Sequence, residues 1–245
     1  MFTPALALGI VALTAGPAMA DHATGSYGGP LNAINNSGAS GEVWVDVEGT
    51  TATVTLTASG LAESFDGAPY PHVQHIHVGA AGECPPMSAD ANGDGIISTT
   101  EGVPSYGGIG TTLTLGTADK SPDAGLDLTL APSGSTIQYK ETFELNQETQ
   151  DSLAAGTAVV VVHGLDPATQ PAAGTSPSDL APELPLAATS PALCGTLDVM
   201  PAGGAATGVT TVESGTDMSM LAFGGLFAAA LGGAYLVRRR VVAGR

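Results

Sequence analysis

Four of the five histidines of this sequence fall in two places along the chain, and three of them could share one metal ion. His72, His75 and His77 lie together in HVQHIH, and His163 follows the four valines 159–162. On a strand, side chains two residues apart project to one face, so His75 and His77 can meet one ion. With His163 from a neighbouring strand they predict a three-nitrogen site that favours copper, then zinc. The alternative is that these are surface or hydrogen-bonded histidines.

A second candidate metal site is the acidic segment 90–101, whose sequence is DANGDGIISTTE. It matches the pattern of a calcium-binding loop, in which six or seven oxygens surround the ion. The predicted ligands are Asp90, Asn92, Asp94, the carbonyl of Ile96, Ser98 and Glu101. Because Pro85, Pro86 and Pro104 argue against regular helices on both sides, we expect an isolated EF-hand-like loop. The alternative is an acidic, glycine-rich turn that binds no metal.

The elements that must hold these side chains are predicted to be short strands. Residues 42–47 and 51–57 alternate apolar and polar side chains on either side of Gly49, as the strands of a hairpin do. Further candidate strands are 73–78, 111–115, 126–130, 136–145, 158–163 and 196–199. Short strands punctuated by Gly and Pro indicate an all-β sandwich or barrel.

The order of these residues resembles that of copper/zinc superoxide dismutases. The shared features are H-x-x-H-x-H, a cysteine seven residues after its last histidine, V-V-V-H and a late Cys-Gly. The resemblance implies an eight-stranded Greek-key β-sandwich over roughly 41–200. It implies that His75, His77 and His163 bind copper, and that His72 supports the site by hydrogen bonding.

Two departures from the dismutase pattern bear on activity. No histidine lies between His77 and His163, so the bridging histidine and the further zinc ligands are missing and we expect no zinc site. Pro191 stands where the family has an arginine that attracts superoxide. Weak dismutation by a copper-binding module is therefore the main expectation, and whether the protein is an enzyme stays open.

Two alternatives to a weak dismutase remain. Residues 60–79, which contain His75-Ile76-His77-Val78-Gly79, also resemble the chordin-type (CHRD) domains of exported bacterial proteins. That resemblance implies a non-catalytic surface module with structural histidines. The other alternative is a copper store or carrier, which would differ from the enzyme only in kinetics.

The two cysteines of the chain, Cys84 and Cys194, form the one pair available to it. A lone pair in an exported chain favours a disulfide over two free thiols. The resemblance to superoxide dismutases implies the same pairing.

The two ends of the chain predict export and membrane attachment. Residues 1–20 are apolar and end in Ala-Met-Ala, as a signal peptide does, and 21–40 are expected to form an N-terminal tail. Residues 218–237 carry no charge and, as a helix of about 30 Å, can cross a bilayer. A flexible stalk at 201–217 precedes this helix, and the basic residues of 238–245 place the C-terminus in the cytoplasm. We therefore expect an extracellular, membrane-anchored ectodomain.

The charge of the chain excludes one class of partner. The formal net charge is −17, and all 23 Asp and Glu residues precede the membrane helix. Between residues 21 and 217 only Lys120 and Lys140 oppose them. Such a surface repels nucleic acid and suits cation binding. The expected partners are metal ions and, through 218–237, the membrane, while no pattern predicts an oligomeric state.

Overall fold

The computed structural model describes residues 23–65 and 67–201 of the chain. The parts predicted outside these residues are the signal peptide at 1–20, the stalk beyond residue 201, the membrane helix at 218–237 and the basic tail at 238–245. Within the described ranges, no helix has the length and apolar character that a membrane crossing requires.

The described residues contain eleven strands and three α-helices. The strands are β1 (Gly25–Ala33), β2 (Ser40–Glu48), β3 (Thr51–Ser59), β4 (Ser64–Phe65), β5 (Ala68–Pro69), β6 (Gln74–Val78), β7 (Gly108–Thr112), β8 (Thr136–Glu144), β9 (Val159–His163), β10 (Pro191–Thr196) and β11 (Asp198–Met200). The helices are α1 (Thr99–Tyr106), α2 (Gln147–Ala155) and α3 (Leu186–Thr189). Short 3-10 turns lie at Met87–Ala89, Pro122–Ala124, Leu128–Leu130 and Ala172–Thr175.

Eight strands form a continuous antiparallel sheet in the order β7-β6-β9-β10-β1-β2-β3-β8. Strand β11 pairs with β1, and β4 and β5 form a separate pair. Strand β1 joins the two halves of the sheet: it pairs with β2 from Gly25 to Leu31 and with β10 at Asn32 and Ala33. The sheet therefore curls, and the predicted all-β class is confirmed.

The inner face of the curled sheet carries the main core. In β2 the buried residues alternate with more exposed ones such as Glu42 and Asp46, which is the period of a strand with one face in the core. The alternating core residues of β2 and β3 are Val43, Val45, Val47, Ala52, Val54, Leu56 and Ala58. The alternation of apolar and polar residues that predicted β2 and β3 thus places their apolar side chains in the core.

Strands β6 and β9 are buried on both faces. The even-numbered valines of β9 lie in the main core, and the odd-numbered ones lie in a second cluster that includes Ile97 and Tyr106. Since Ile97 and Tyr106 belong to the connection 79–107, this connection covers the outer face of the sheet. A disulfide between Cys84 and Cys194 fastens it to β10, which confirms the predicted pairing.

The segment 126–130 does not form the predicted strand. It contains instead the 3-10 turn Leu128–Leu130. Asp127 begins this turn, because its carboxylate accepts hydrogen bonds from the backbone N–H and the hydroxyl of Thr129. Such a local bond offers the backbone an alternative to strand pairing.

The segment 21–40, expected as a tail, contains strand β1 at the centre of the sheet. Tyr27 and Leu31 of β1 are buried in the main core. Glycines and a proline separate these two side chains, so the strand lacks the alternation by which β2 and β3 are recognised.

The end of the acidic segment begins a regular helix, although Pro104 was expected to prevent one. Helix α1 contains Pro104 in its interior. A capping box starts it: the Ser98 side chain accepts from the N–H of Glu101, and the Glu101 carboxylate accepts from the N–H of Ser98. This reciprocal pair offsets part of the cost of the proline. Before the segment the prediction holds, since only the 3-10 turn Met87–Ala89 forms there.

Candidate metal centre

Strands β6 and β9 place three imidazoles on one face of the sheet. His75 and His77 are two residues apart on β6, and His75 lies opposite Val161 of the antiparallel β9. The backbone N–H of His163 donates to the carbonyl of Val73, which continues this register by two residues. Because opposite residues of a pair share a face, His163 joins the other two histidines. All three face away from the main core, toward the covered outer side of the sheet.

The three rings are close enough to share an ion. Ring centroids are 5.4 Å apart for His75 and His77, 5.1 Å for His75 and His163, and 6.0 Å for His77 and His163. One ring nitrogen from each lies within 4.8 Å of the other two. Nitrogens that bind zinc lie about 2.0–2.1 Å from the metal, so small ring rotations bring the three to bonding distance.

Each ring uses one nitrogen for the backbone and leaves the other unpaired. The first nitrogen of each donates to a carbonyl: His75 Nε2 to Gly125 at 3.0 Å, His77 Nδ1 to Gly107 at 3.0 Å, and His163 Nδ1 to Thr189 at 2.8 Å. In the described part of the chain, the second nitrogen of each is buried and has no hydrogen-bond partner. Metal-binding histidines have this arrangement, because the carbonyl fixes the tautomer and directs the lone pair at the metal.

Burial keeps the three imidazoles neutral. Desolvation lowers the pKa of His163 to about 3 and that of His77 to about 4. Desolvation, with His163 and His77 nearby, holds the pKa of His75 well below its usual range. At neutral pH all three rings therefore carry a free lone pair, the form that binds a metal.

His72 lies beside this cluster and is not part of it. Its buried ring lies 2.9 Å from the carbonyl oxygen of His163 through Nδ1, and 2.9 Å from that of Ala62 through Nε2. Gly164 makes this approach possible, since it has φ +103° and a Cβ there would lie 2.7 Å from His72 Nδ1. His72 thus fixes the backbone at the end of β9, from which the His163 side chain extends toward the other two rings.

Helix α1 packs directly on the histidine cluster. The ring of Tyr106 lies 4.5 Å from that of His77, and its hydroxyl donates to the carbonyl of Thr99 at 3.0 Å. The Thr99 hydroxyl lies 3.3 Å from His163 Nδ1 and donates to the Thr189 carbonyl that also orients this ring. Thr99 and Tyr106 were not predicted from the sequence.

The histidines line a cavity of about 310 Å³. Thr99 and Thr189 contribute to its wall, together with side chains from the connections 113–135 and 164–190. A metal ion held by three protein nitrogens keeps coordination positions for a further ligand. Such a ligand would occupy the cavity and approach the metal from there.

The acidic segment 90–101 has a different bonding pattern. The oxygens of Asp90 accept from the backbone N–H groups of Gly93, Asp94 and Gly95, and those of Glu101 accept from Ala91, Asn92 and Ser98. Asp94 accepts from the N–H of Ile96 and from the amide of Asn92. Among the described residues, the segment's carboxylates do not form a group comparable to the histidine cluster.

Residues near the end of the acidic segment are buried next to the histidine cluster. Ile96 and Ile97 are fully buried, and the Asn35 side chain bonds both the N–H and the carbonyl of Ile97. Ser98 follows as the cap of α1. The segment is thus continuous with the helix that packs on His77.

No family model matches this chain, and no curated protein matches it.

Proposed function

We propose that this chain is an exported, membrane-anchored protein whose ectodomain binds one copper ion through His75, His77 and His163. The observation that carries the proposal is the set of three buried ring nitrogens without a partner. A buried, unsatisfied polar atom costs about 1–3 kcal/mol, and three directed at one point need a common explanation. A shared metal ion satisfies all three at once.

The donor set favours copper among the metals that imidazole binds. The cluster has three neutral nitrogens and includes no thiolate or carboxylate. Calcium and magnesium are disfavoured because they require oxygen ligands. Copper stands highest in the affinity order of divalent first-row metals, and zinc is the next candidate.

We propose further that the ectodomain is a superoxide-dismutase-like Greek-key sandwich. Support comes from the eight strands of the continuous sheet, from the three clustered histidines and from the Cys84–Cys194 disulfide. Dismutation would be weak, because Pro191 lies opposite His163 in the β9–β10 register at the position of the family's arginine. The runners-up are a copper carrier and a non-catalytic, chordin-like module.

Calcium bound by the segment 90–101 completes the proposal. It would be held by Asp90, Asn92, Asp94, the Ile96 carbonyl, Ser98 and Glu101. The connection of this segment to α1 means that calcium would order the helix packed on the histidine cluster.

Metal analysis and a superoxide-decay assay on the same sample test the copper proposal. The purified full-length chain in mild detergent is loaded with Cu(II), dialysed and analysed for metals. About one copper per chain with superoxide decay faster than that of the copper-free protein supports the enzyme, and about one copper without such decay supports the carrier. The double variant His75→Gln/His77→Gln is the control and should retain no copper. If the wild-type protein retains no copper, the result supports the non-catalytic, chordin-like module instead.

A further inference from the structure

The cavity beside the histidine cluster is apolar. Apart from the three histidines, two threonines and Asp123, its lining consists of apolar residues and one glycine. Its volume of about 310 Å³ lies at the lower end of the range for small-molecule sites. It is about twice the 150 Å³ cavity that holds a benzene molecule in an engineered protein. A molecule with two small rings would therefore fit.

Exposed apolar side chains gather at this cavity. The described residues include seven large hydrophobic side chains that are exposed to solvent. Three of the seven line the cavity: Val103, Leu126 and Leu180, at 41%, 44% and 44% exposure. Single exposed hydrophobic residues need no explanation, but a group around one concave site is typical of a binding site for an apolar ligand.

The charge of the cavity disfavours anions. Asp123 is the only charged residue among those that line it, and no Lys or Arg of the described chain lines it. The chain as a whole carries a formal charge of −17. An anion such as superoxide would be repelled at each stage of its approach, whereas an uncharged molecule would not.

The walls of the cavity also hold the histidines. The three carbonyls that orient the rings belong to Gly107, Gly125 and Thr189. Each lies in a different connection, and each connection also contributes an exposed apolar side chain to the wall: Val103, Leu126 and Leu180. The same three connections therefore position the ligand nitrogens and enclose the space beside them.

We infer that the metal centre takes, as its external ligand, a small uncharged molecule with an apolar body and one nitrogen donor. This inference rests on the proposed copper site. The nitrogen donor follows from the preference of such a metal for imidazole-type ligands. The apolar body follows from the lining. Asp123 and the acidic surface exclude an anion, and the apolar lining and the positive charge of the metal disfavour a cation.

Titration of the copper-loaded, full-length chain with imidazole and with 4-phenylimidazole tests the inference. Both probes offer the same donor, and only the second carries an apolar ring. Binding is followed by the visible absorption and the electron paramagnetic resonance of Cu(II). Burial of the phenyl group in the cavity should make 4-phenylimidazole bind about 10- to 100-fold more tightly than imidazole.

Two matched variants assign this preference to the cavity. Leu126 and Leu115 are 44% and 45% exposed, but only Leu126 lines the cavity. Leu126→Gln should lower the ratio of the two affinities at least about threefold, and Leu115→Gln should leave it unchanged. Copper content is measured for each variant, which shows whether the centre is intact.

The outcomes separate the inference from the proposed function. Copper uptake with equal affinity for both probes overturns the inference and leaves the copper site standing. A preference that Leu126→Gln and Leu115→Gln retain equally also overturns it. A wild-type chain that takes up no copper overturns the proposed function, and the inference with it.

Discussion

The two candidate metal regions of this chain differ in what already satisfies their ligand atoms. The histidine cluster is buried, and each ring has one nitrogen without a partner. In the acidic segment 90–101, Asp90, Asp94 and Glu101 already accept hydrogen bonds from nearby backbone N–H groups and the Asn92 amide. The histidine cluster therefore leaves buried polar atoms without hydrogen bonds, whereas the carboxylates of the acidic segment are hydrogen-bonded within the segment.

The burial of the ligand atoms decides what their hydrogen bonds imply about metal binding. The three ring nitrogens are buried and close together, so their lack of hydrogen-bond partners points to a shared ligand. The half-buried carboxylates of Asp90, Asp94 and Glu101 can exchange backbone and water partners for calcium at little cost, so their present bonds neither require nor exclude the ion. The histidine cluster should therefore govern stability and metal binding more strongly than the acidic segment does.

Mild acid should produce the largest effect, and it acts through the histidine cluster. In the unfolded chain the histidines take up protons near the ordinary pKa of about 6.5. In the folded, metal-free protein the pKa of His77 is about 4 and that of His163 about 3, so those rings stay neutral. The unfolding free energy should thus fall as the pH falls from 7 to 5, by about 2 kcal/mol for each of His77 and His163.

Urea denaturation of the metal-free protein at pH 7, 6 and 5 measures this dependence. The matched control is His163→Gln, which lacks one of the titrating rings and should lose about 2 kcal/mol less over the same interval. Equal stability of the wild-type protein at pH 7 and pH 5 would contradict the buried, neutral cluster.

Removal of a single ligand should have the next largest effect. Loss of a residue that only orients a ligand typically weakens metal binding about 10- to 100-fold, so His163→Gln should weaken copper binding at least about 100-fold. His72→Gln keeps all three ligands and removes a hydrogen bond to the His163 carbonyl. His72→Gln should weaken copper binding only about tenfold. Competition with a copper chelator can measure the difference between the two variants. If both variants bind copper like the wild type, the ion lies elsewhere.

The backbone that carries His163 offers a third test, through two glycines with positive φ. A Cβ on Gly164, at φ +103°, would lie 2.7 Å from His72 Nδ1, whereas one on Gly38, at φ +71°, would meet nothing within 4 Å. Gly164→Ala should destabilise the protein by about 2 kcal/mol and Gly38→Ala by about 1 kcal/mol. Urea denaturation measures both. Equal losses would mean that contact with His72 does not constrain the end of β9.

The ligand nitrogens could be predicted from the sequence because they follow from strand periodicity. The spacing of His75 and His77 and the valines before His163 are local patterns, and antiparallel pairing converts them into one face. The carbonyls of Gly107 and Gly125 could not be predicted in this way. Any residue offers a carbonyl, so only the path of the long connections decides which one meets a ring.

The strands of the fold were predictable for the same reason. The prediction failed where the sequence lacks this periodicity. Strands β2 and β3 alternate clearly, but β1 has small residues between Tyr27 and Leu31 and was expected to be a tail. In 126–130 the leucines suggested a strand, and the local hydrogen bonds of Asp127 produced a 3-10 turn instead. Local side-chain bonds of this kind compete with strand pairing and leave little trace in an apolar pattern.

Calcium should produce the smallest effect, and it acts through the acidic segment. If the segment binds calcium with a dissociation constant of about 0.1–1 mM, as extracellular sites do, 1 mM calcium stabilises the fold by about 0.4–1.4 kcal/mol. Urea denaturation in chelator and in 1 mM calcium measures the difference.

The matched control for calcium is Asp90→Asn, which removes a charge where the calcium-loop pattern requires Asp but keeps an oxygen that can accept from the N–H groups of Gly93 and Asp94. It should abolish the calcium response and leave copper binding in calcium-free buffer unchanged. The histidine variants should behave in the opposite way, retaining the calcium response while they lose copper. A calcium response that survives Asp90→Asn would locate the ion outside 90–101, and the segment would then be a self-satisfied turn that begins helix α1.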